Sequence, residues 1–242
     1  MTRTLLLRGM LVGVVAGLLV FAFARWIGEP QVERAIAFET SMDKARGEAP
    51  EPEVVSRRVQ KSAGLLTGAV IYGAAVGGLF GLVFAFAYGR IGELGPRALS
   101  AVLAALGFVA IVLVPQLKYP ANPPAVGRPE TIGVRTGAYF LLILVSIVAM
   151  VLSLQLRRGF AKRFGEWNGS LLAAGLFVAV VGLVSHFLPE VDEVPAGFPV
   201  TLMWKFRVAA LEIQAVLWGG VGVRVADGER VEVQGQIVNR KF

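Results

Sequence analysis

The chain contains no cysteine and one histidine, His186, in 242 residues. A disulfide framework, a thiolate zinc site, an iron–sulfur cluster and a cysteine nucleophile are therefore all excluded. Charge is scarce too: Asp, Glu, Lys and Arg make up 17% of residues against 55% hydrophobic, and mean hydropathy is +0.66. A disordered chain has the opposite balance. The 29 glycines follow no three-residue period, so they do not make collagen. There is no Walker loop, HExxH or GxSxG elbow. Ser185 and His186 are adjacent, and neighbours on a helix point about 100° apart, which makes a poor nucleophile and base. What remains is a non-enzymatic integral membrane protein. The net charge of +7 fits basic residues retained in cytoplasmic loops better than nucleic-acid binding, because no basic run is interleaved with exposed aromatics.

A spanning helix needs about 17–25 mainly apolar residues. Six segments qualify, at residues 5–27, 64–88, 98–114, 138–156, 171–188 and 201–223. The expected fold is all-α: a polytopic helical bundle, one transmembrane domain over residues 1–223 followed by a cytoplasmic tail over 224–242. The second to fifth spans contain no Asp, Glu, Lys or Arg. Arg3 and Arg8, an apolar run and Ala22-Phe23-Ala24 imitate a secretory signal, but the run is long for a signal core. Gly9, Gly13 and Gly17 also recur every four residues there, the stripe that close helix packing in lipid uses. Gly64 and Gly68, then Gly73, Gly77 and Gly81, repeat the device in the second span, so the first two spans are expected to touch.

Orientation follows from the loops. Arg157, Arg158, Lys162 and Arg163 lie before the fifth span, and residues 189–200 after it contain no Lys or Arg. The basic side is cytoplasmic, which places both termini inside. The outer segment 28–63 is expected to hold a short interfacial helix after Glu29-Pro30, with a break from Gly47 through Pro50 and Pro52. Pro115, Pro120, Pro123, Pro124 and Pro129 should make the next outer loop stiff and extended. The tail from Arg224 is expected to be loose and polar, with a hairpin around Asp227-Gly228 as the other option.

Two places carry candidate chemistry. His186 is followed by Glu190, Asp192 and Glu193 on the outer side, and an imidazole with carboxylates suits a divalent transition metal; with Glu29 these form a candidate capture set. The competing reading is an interfacial histidine and a solvated acidic loop. The second place is the sixth span. Glu212 falls near its midpoint, where a carboxylate is costly unless it faces the bundle interior or water. Gln214 is close by, Lys205 lies two turns back on the same face, and Arg207 is near the outer end. Glu212 is either a cation or proton stop along a pathway or a structural partner of Lys205, Arg207 or a neighbouring helix.

Several runs together carry a resemblance. These are Glu29-Pro30, Val55-Ser56-Arg57-Arg58-Val59-Gln60, Leu117-Lys118-Tyr119-Pro120-Ala121-Asn122-Pro123-Pro124-Ala125-Val126-Gly127, and Glu193-Val194-Pro195-Ala196-Gly197-Phe198-Pro199 continued by Leu202-Met203-Trp204-Lys205-Phe206-Arg207. The chain resembles the CbtA family of bacterial cobalt transporter subunits over most of its length. The resemblance implies a protein of the bacterial cytoplasmic membrane, embedded in the lipid bilayer and serving cobalt uptake for cobalamin supply. It implies cobalt(II) as the transported ion, with no tightly bound cofactor. It also implies a small partner, CbtB, with one span and a histidine-bearing metal-binding end, and it marks Lys118, Tyr119 and Asn122 in the outer loop. Glu212 is not part of the family-like runs. The other reading is a non-transporting membrane scaffold that assembles with a separate permease.

Overall fold

The computed structural model describes residues 2–47, 54–90 and 94–239, leaving aside the side chains of Thr2 and of residues 224–239. The expected break at Pro50 and Pro52 lies outside the described residues. Among the described residues there is no strand, and six helices are long and apolar enough to cross a membrane. They are α1 (Arg3–Arg46), α2 (Arg57–Ala87), α3 (Pro96–Lys118), α4 (Ile132–Phe164), α5 (Glu166–Phe187) and α6, which is membrane-long over Val200–Val223. Many large apolar side chains stay outside any core, among them Leu11 at 67%, Phe86 at 72% and Phe187 at 78% exposure. Water would not tolerate so much apolar surface; lipid does.

The chain packs as two compact units, residues 1–105 with 204–242, and residues 106–203. In the first unit α1 and α2 run antiparallel along their glycines. A Cβ on Gly17 would lie 2.5 Å from the Ala69 carbonyl oxygen, and one on Gly81 would lie 2.6 Å from that of Leu5. Gly9 meets Gly77 and Gly13 meets Gly73 more closely still, backbone to backbone. Each pair is four residues from the next on both helices, so one register runs the length of the contact. At such range Cα–H groups point at facing carbonyls, a weak attraction that lipid does not compete for. Gly64 and Gly68 do not join this contact: nothing lies within 4 Å of a Cβ on Gly68, and Gly64 meets only its own helix at Val59. The step from Gly68 to Gly73 is five residues, which turns Gly68 well away from the stripe. α6 packs here as well, through the second half of its apolar stretch. Gly220 rests on Ala16, Gly28 on Ile213, and the Ser100 hydroxyl donates to the Gly222 carbonyl at 2.7 Å.

Three expectations are corrected. No separate interfacial helix follows the first span, because Glu29–Arg46 continues the same helix. Pro30 has no N–H and its ring crowds the carbonyl four residues back, which would break an α-helix. Here a wider π-turn over Ala24–Gly28 absorbs the misfit, with the Glu29 N–H donating to the Ala24 carbonyl. The basic loop before the fifth span is equally short: α4 and α5 are separated by Gly165 alone, at φ +83°, which only glycine adopts easily. And the tail is neither loose nor a hairpin, since the α6 backbone stays helical over Val200–Asn239.

In the second unit Val114, Tyr119, Ala138, Leu142, Ala149 and Phe177 form one buried cluster, with Tyr139 and Val181 against it. α4 and α5 form a hairpin about Gly165: Gly169 presses on Ala161, where a Cβ would lie 2.6 Å from the Ala161 Cα. Arg157 fixes the same end, donating to Ser170 Oγ at 2.9 Å and to Glu166 at 2.6 Å.

Candidate functional site

The second unit brings two of the distinctive sequence runs together. α3 ends at Lys118, and the loop after it is buried at Tyr119, Pro123 and Val126. The Tyr119 hydroxyl donates to the Pro189 carbonyl at 2.7 Å, and burial pushes its phenol pKa up. The Val126 N–H closes a turn onto the Pro123 carbonyl, with Ala125 at φ +67° inside it. On the other side, the Phe198 N–H closes a turn onto Pro195, which lets Phe198 bury.

Between these turns sits Glu193, whose side chain is 1% exposed. Oε1 accepts from the Thr131 hydroxyl. Oε2 accepts from the Arg135 guanidinium, an ion pair, and from Asn122 Nδ2 at 3.3 Å. A carboxylate this dry needs its charge matched and its lone pairs filled, and this one has both. Beside it lies a cavity of about 310 Å³ lined by Gln116, Tyr119, Asn122, Arg135, Thr136 and Tyr139 among others. Asn122 and Arg135 thus face the cavity and hold Glu193 at once.

The other residues of the expected capture set do not join Glu193. His186 is exposed and sits edge-on to Phe187 at 5.4 Å. Glu190 and Asp192 are exposed, and Asp192 accepts the Val194 N–H at 3.4 Å. Among the described residues no three His, Asp or Glu side chains converge as a metal site.

Glu29 belongs to the first unit, where it is 7% exposed and ion-paired with Arg57 from α2. One turn on, Lys61 meets Glu33 at 2.7 Å, a pair open to solvent. The Glu29–Arg57 pair lies where the two helices carry π-turns, Ala24–Gly28 before Glu29 and Gln60–Gly64 after Arg57–Val59.

α6 separates the four polar residues of the sixth span into two faces. Lys205 and Glu212 are exposed, and among the described residues Glu212 makes no ion pair. Arg207 and Gln214 are half-buried on another face, which Trp218 continues. Among the described residues Gln214 Oε1 and Trp218 Nε1 are buried and meet no hydrogen-bond partner. Among the described residues no ion pair joins Glu212 to Lys205 or Arg207.

Sequence reading missed Thr131, Arg135 and Arg57 as site residues. Arg135 had one legible signal: it is the only basic residue between Pro129 and the apolar run that starts at Ala138. The family model for CbtA, described as "Probable cobalt transporter subunit (CbtA)", matches residues 2–227 of the chain. No curated protein and no solved structure matches it.

Proposed function

Since the chain belongs to the CbtA family of probable cobalt transporter subunits, we propose that it is the membrane-embedded component of a bacterial cobalt(II) uptake system serving cobalamin supply. The observation that carries this reading is the family match over residues 2–227, together with six apolar helices. It performs no covalent chemistry; cobalt(II) is its cargo. Both termini face the cytoplasm of the bacterial inner membrane, and residues 115–137 and 189–200 face outward.

In this reading Glu193 and Glu29 are the acids that a cation meets, and exposed Glu190, Asp192 and His186 raise the local cation concentration around the outer loops. The pathway follows α6, where Gln214 and Arg207 line one face and Glu212 and Lys205 the other. With one histidine and no cysteine, the chain supplies mostly oxygen ligands, which cobalt(II) holds less firmly than nitrogen or sulfur. A small CbtB-type membrane subunit bearing histidine supplies the remainder. The same ligand economy also supports a second reading, a scaffold that assembles with a separate permease.

Radiocobalt uptake by proteoliposomes tests the proposal. Vesicles holding this chain with its partner should accumulate cobalt well above empty vesicles and above the partner alone. If a separate permease transports equally with and without this chain, the scaffold reading also falls. If uptake needs the chain only for assembly of that permease, the scaffold reading replaces the first.

A further inference from the structure

We infer that the Glu193–Arg135 ion pair is a cation-exchange latch: a divalent cation entering the adjoining cavity displaces the Arg135 guanidinium and takes its place on the Glu193 carboxylate. The inference rests on the uptake reading above and assigns it a first binding point. The two donors that shield Glu193 on this side, Arg135 and Asn122, are also cavity-lining groups. The cavity, at about 310 Å³, is several times the roughly 30 Å³ that one water takes in the liquid, so an ion can arrive with its hydration shell. Only the guanidinium and one amide then separate it from a buried carboxylate.

The two partners differ in freedom. Glu193 is fixed in a loop pinned at both sides, by the Tyr119 hydroxyl on Pro189 and by buried Phe198, and its side chain is 1% exposed. Arg135 is 25% exposed and stands near the start of α4, so its long side chain can swing into the cavity without disturbing the helix. Opening the pair therefore moves the arginine and leaves the carboxylate in place. The pair also sets a useful energy. A lone buried carboxylate would hold a divalent cation too firmly to release it, whereas one already matched by a monovalent cation gains only the difference. Conduction needs that balance, with binding favourable enough to enter and weak enough to leave. After exchange the ion has the Glu193 carboxylate and the Thr131 hydroxyl. The Asn122 carbonyl joins them once that amide turns over, and water completes the shell. That is an oxygen site.

Arginine modification tests the latch on the unaltered protein. The purified full-length chain in detergent is treated with phenylglyoxal, with and without cobalt(II) chloride, and modification of Arg135 is read by mass spectrometry. Exchange releases the guanidinium, so cobalt should raise Arg135 modification several-fold while exposed Arg163, at the other end of α4, stays constant. In parallel, Glu193→Gln should weaken cobalt binding about tenfold or more by titration calorimetry and abolish the cobalt-dependent rise. Unchanged Arg135 reactivity with cobalt bound would overturn the latch even if Glu193→Gln fails to fold. It would leave the uptake reading standing, which the vesicle experiment tests separately.

Discussion

Glu29 and Glu193 are the acidic side chains that the fold withdraws from solvent among the described residues, and each meets an arginine from a different part of the chain. The contrast with Glu33, one turn from Glu29 and paired with Lys61, isolates the effect of burial. Both pairs join α1 to α2, but the Glu29 side chain is 9% exposed and that of Glu33 is 47% exposed. Removing one partner of a buried pair costs about 3–5 kcal/mol, and the upper end does not apply here because the Arg57 side chain is 24% exposed. Exposed pairs contribute little and are screened by salt. Glu29→Gln should therefore lower the denaturation midpoint clearly, whereas Glu33→Gln should leave it nearly unchanged. Equal effects of the two substitutions in a detergent unfolding series would show that burial is not what distinguishes them. At this scale the acids are legible in the sequence and their partners are not. Glu29 and Glu193 stand out by type and place, yet Arg57 lies 28 residues from Glu29, and Thr131 and Arg135 lie 62 and 58 residues from Glu193. Separations of that size carry no periodic signal. Acidic neighbours in sequence also misled, because in an irregular loop Glu193 turns inward while Glu190 and Asp192 turn out.

Elements were more legible than sites, because a membrane helix announces itself by an unbroken apolar run. What the run conceals is where the helix stops. Glu29-Pro30 and the basic stretch at Arg157 look like span ends, yet helix continues through both. Polarity marks the edge of the apolar layer, and backbone hydrogen bonding does not have to stop there. The glycine stripes were readable as spacing. Their partners required the backbone register that the structure provides, and Gly64 and Gly68 drop out of it. That register makes a sharper test than bulk alone. Even one methyl group at Gly13 or Gly77 would run into the facing helix backbone, whereas Gly68 opens onto space. Overpacking a tight contact costs about 1–3 kcal/mol, and more when backbone must move. Gly13→Ala and Gly77→Ala should each lower the thermal stability of the purified protein, and Gly13→Leu should prevent assembly. Gly68→Ala should be neutral or slightly stabilising through helix propensity. If all three alanine variants melt alike, α1 and α2 do not pack through this stripe.

For the whole molecule, six helices are long and apolar enough to cross; if all six do, the two termini share one side and a single segment sets the orientation of the rest. The basic turn between α4 and α5 is that segment. Arg157 is tied to Glu166 and Ser170, and Lys162 and Arg163 lie in the last turn of α4, so the positive charge is concentrated at a hairpin end of fixed shape. Short loops bearing Lys and Arg stay in the cytoplasm, while acids influence topology little. On the proposed orientation the acidic segment after α5 lies outside, together with the Glu193 latch and its cavity, which is where an uptake system would first meet its ion. The prediction is unusually clean to measure because the chain has no cysteine of its own. Ala196 and Lys162 are both exposed in the structure, so reaction at either is limited by the side of the membrane and not by the fold. In intact cells an impermeant maleimide should label a cysteine placed at Ala196 and spare one placed at Lys162, and permeabilised cells should label both. Labelling at Lys162 alone would invert the protein, put Glu193 in the cytoplasm, and turn the proposed capture site into a point of release.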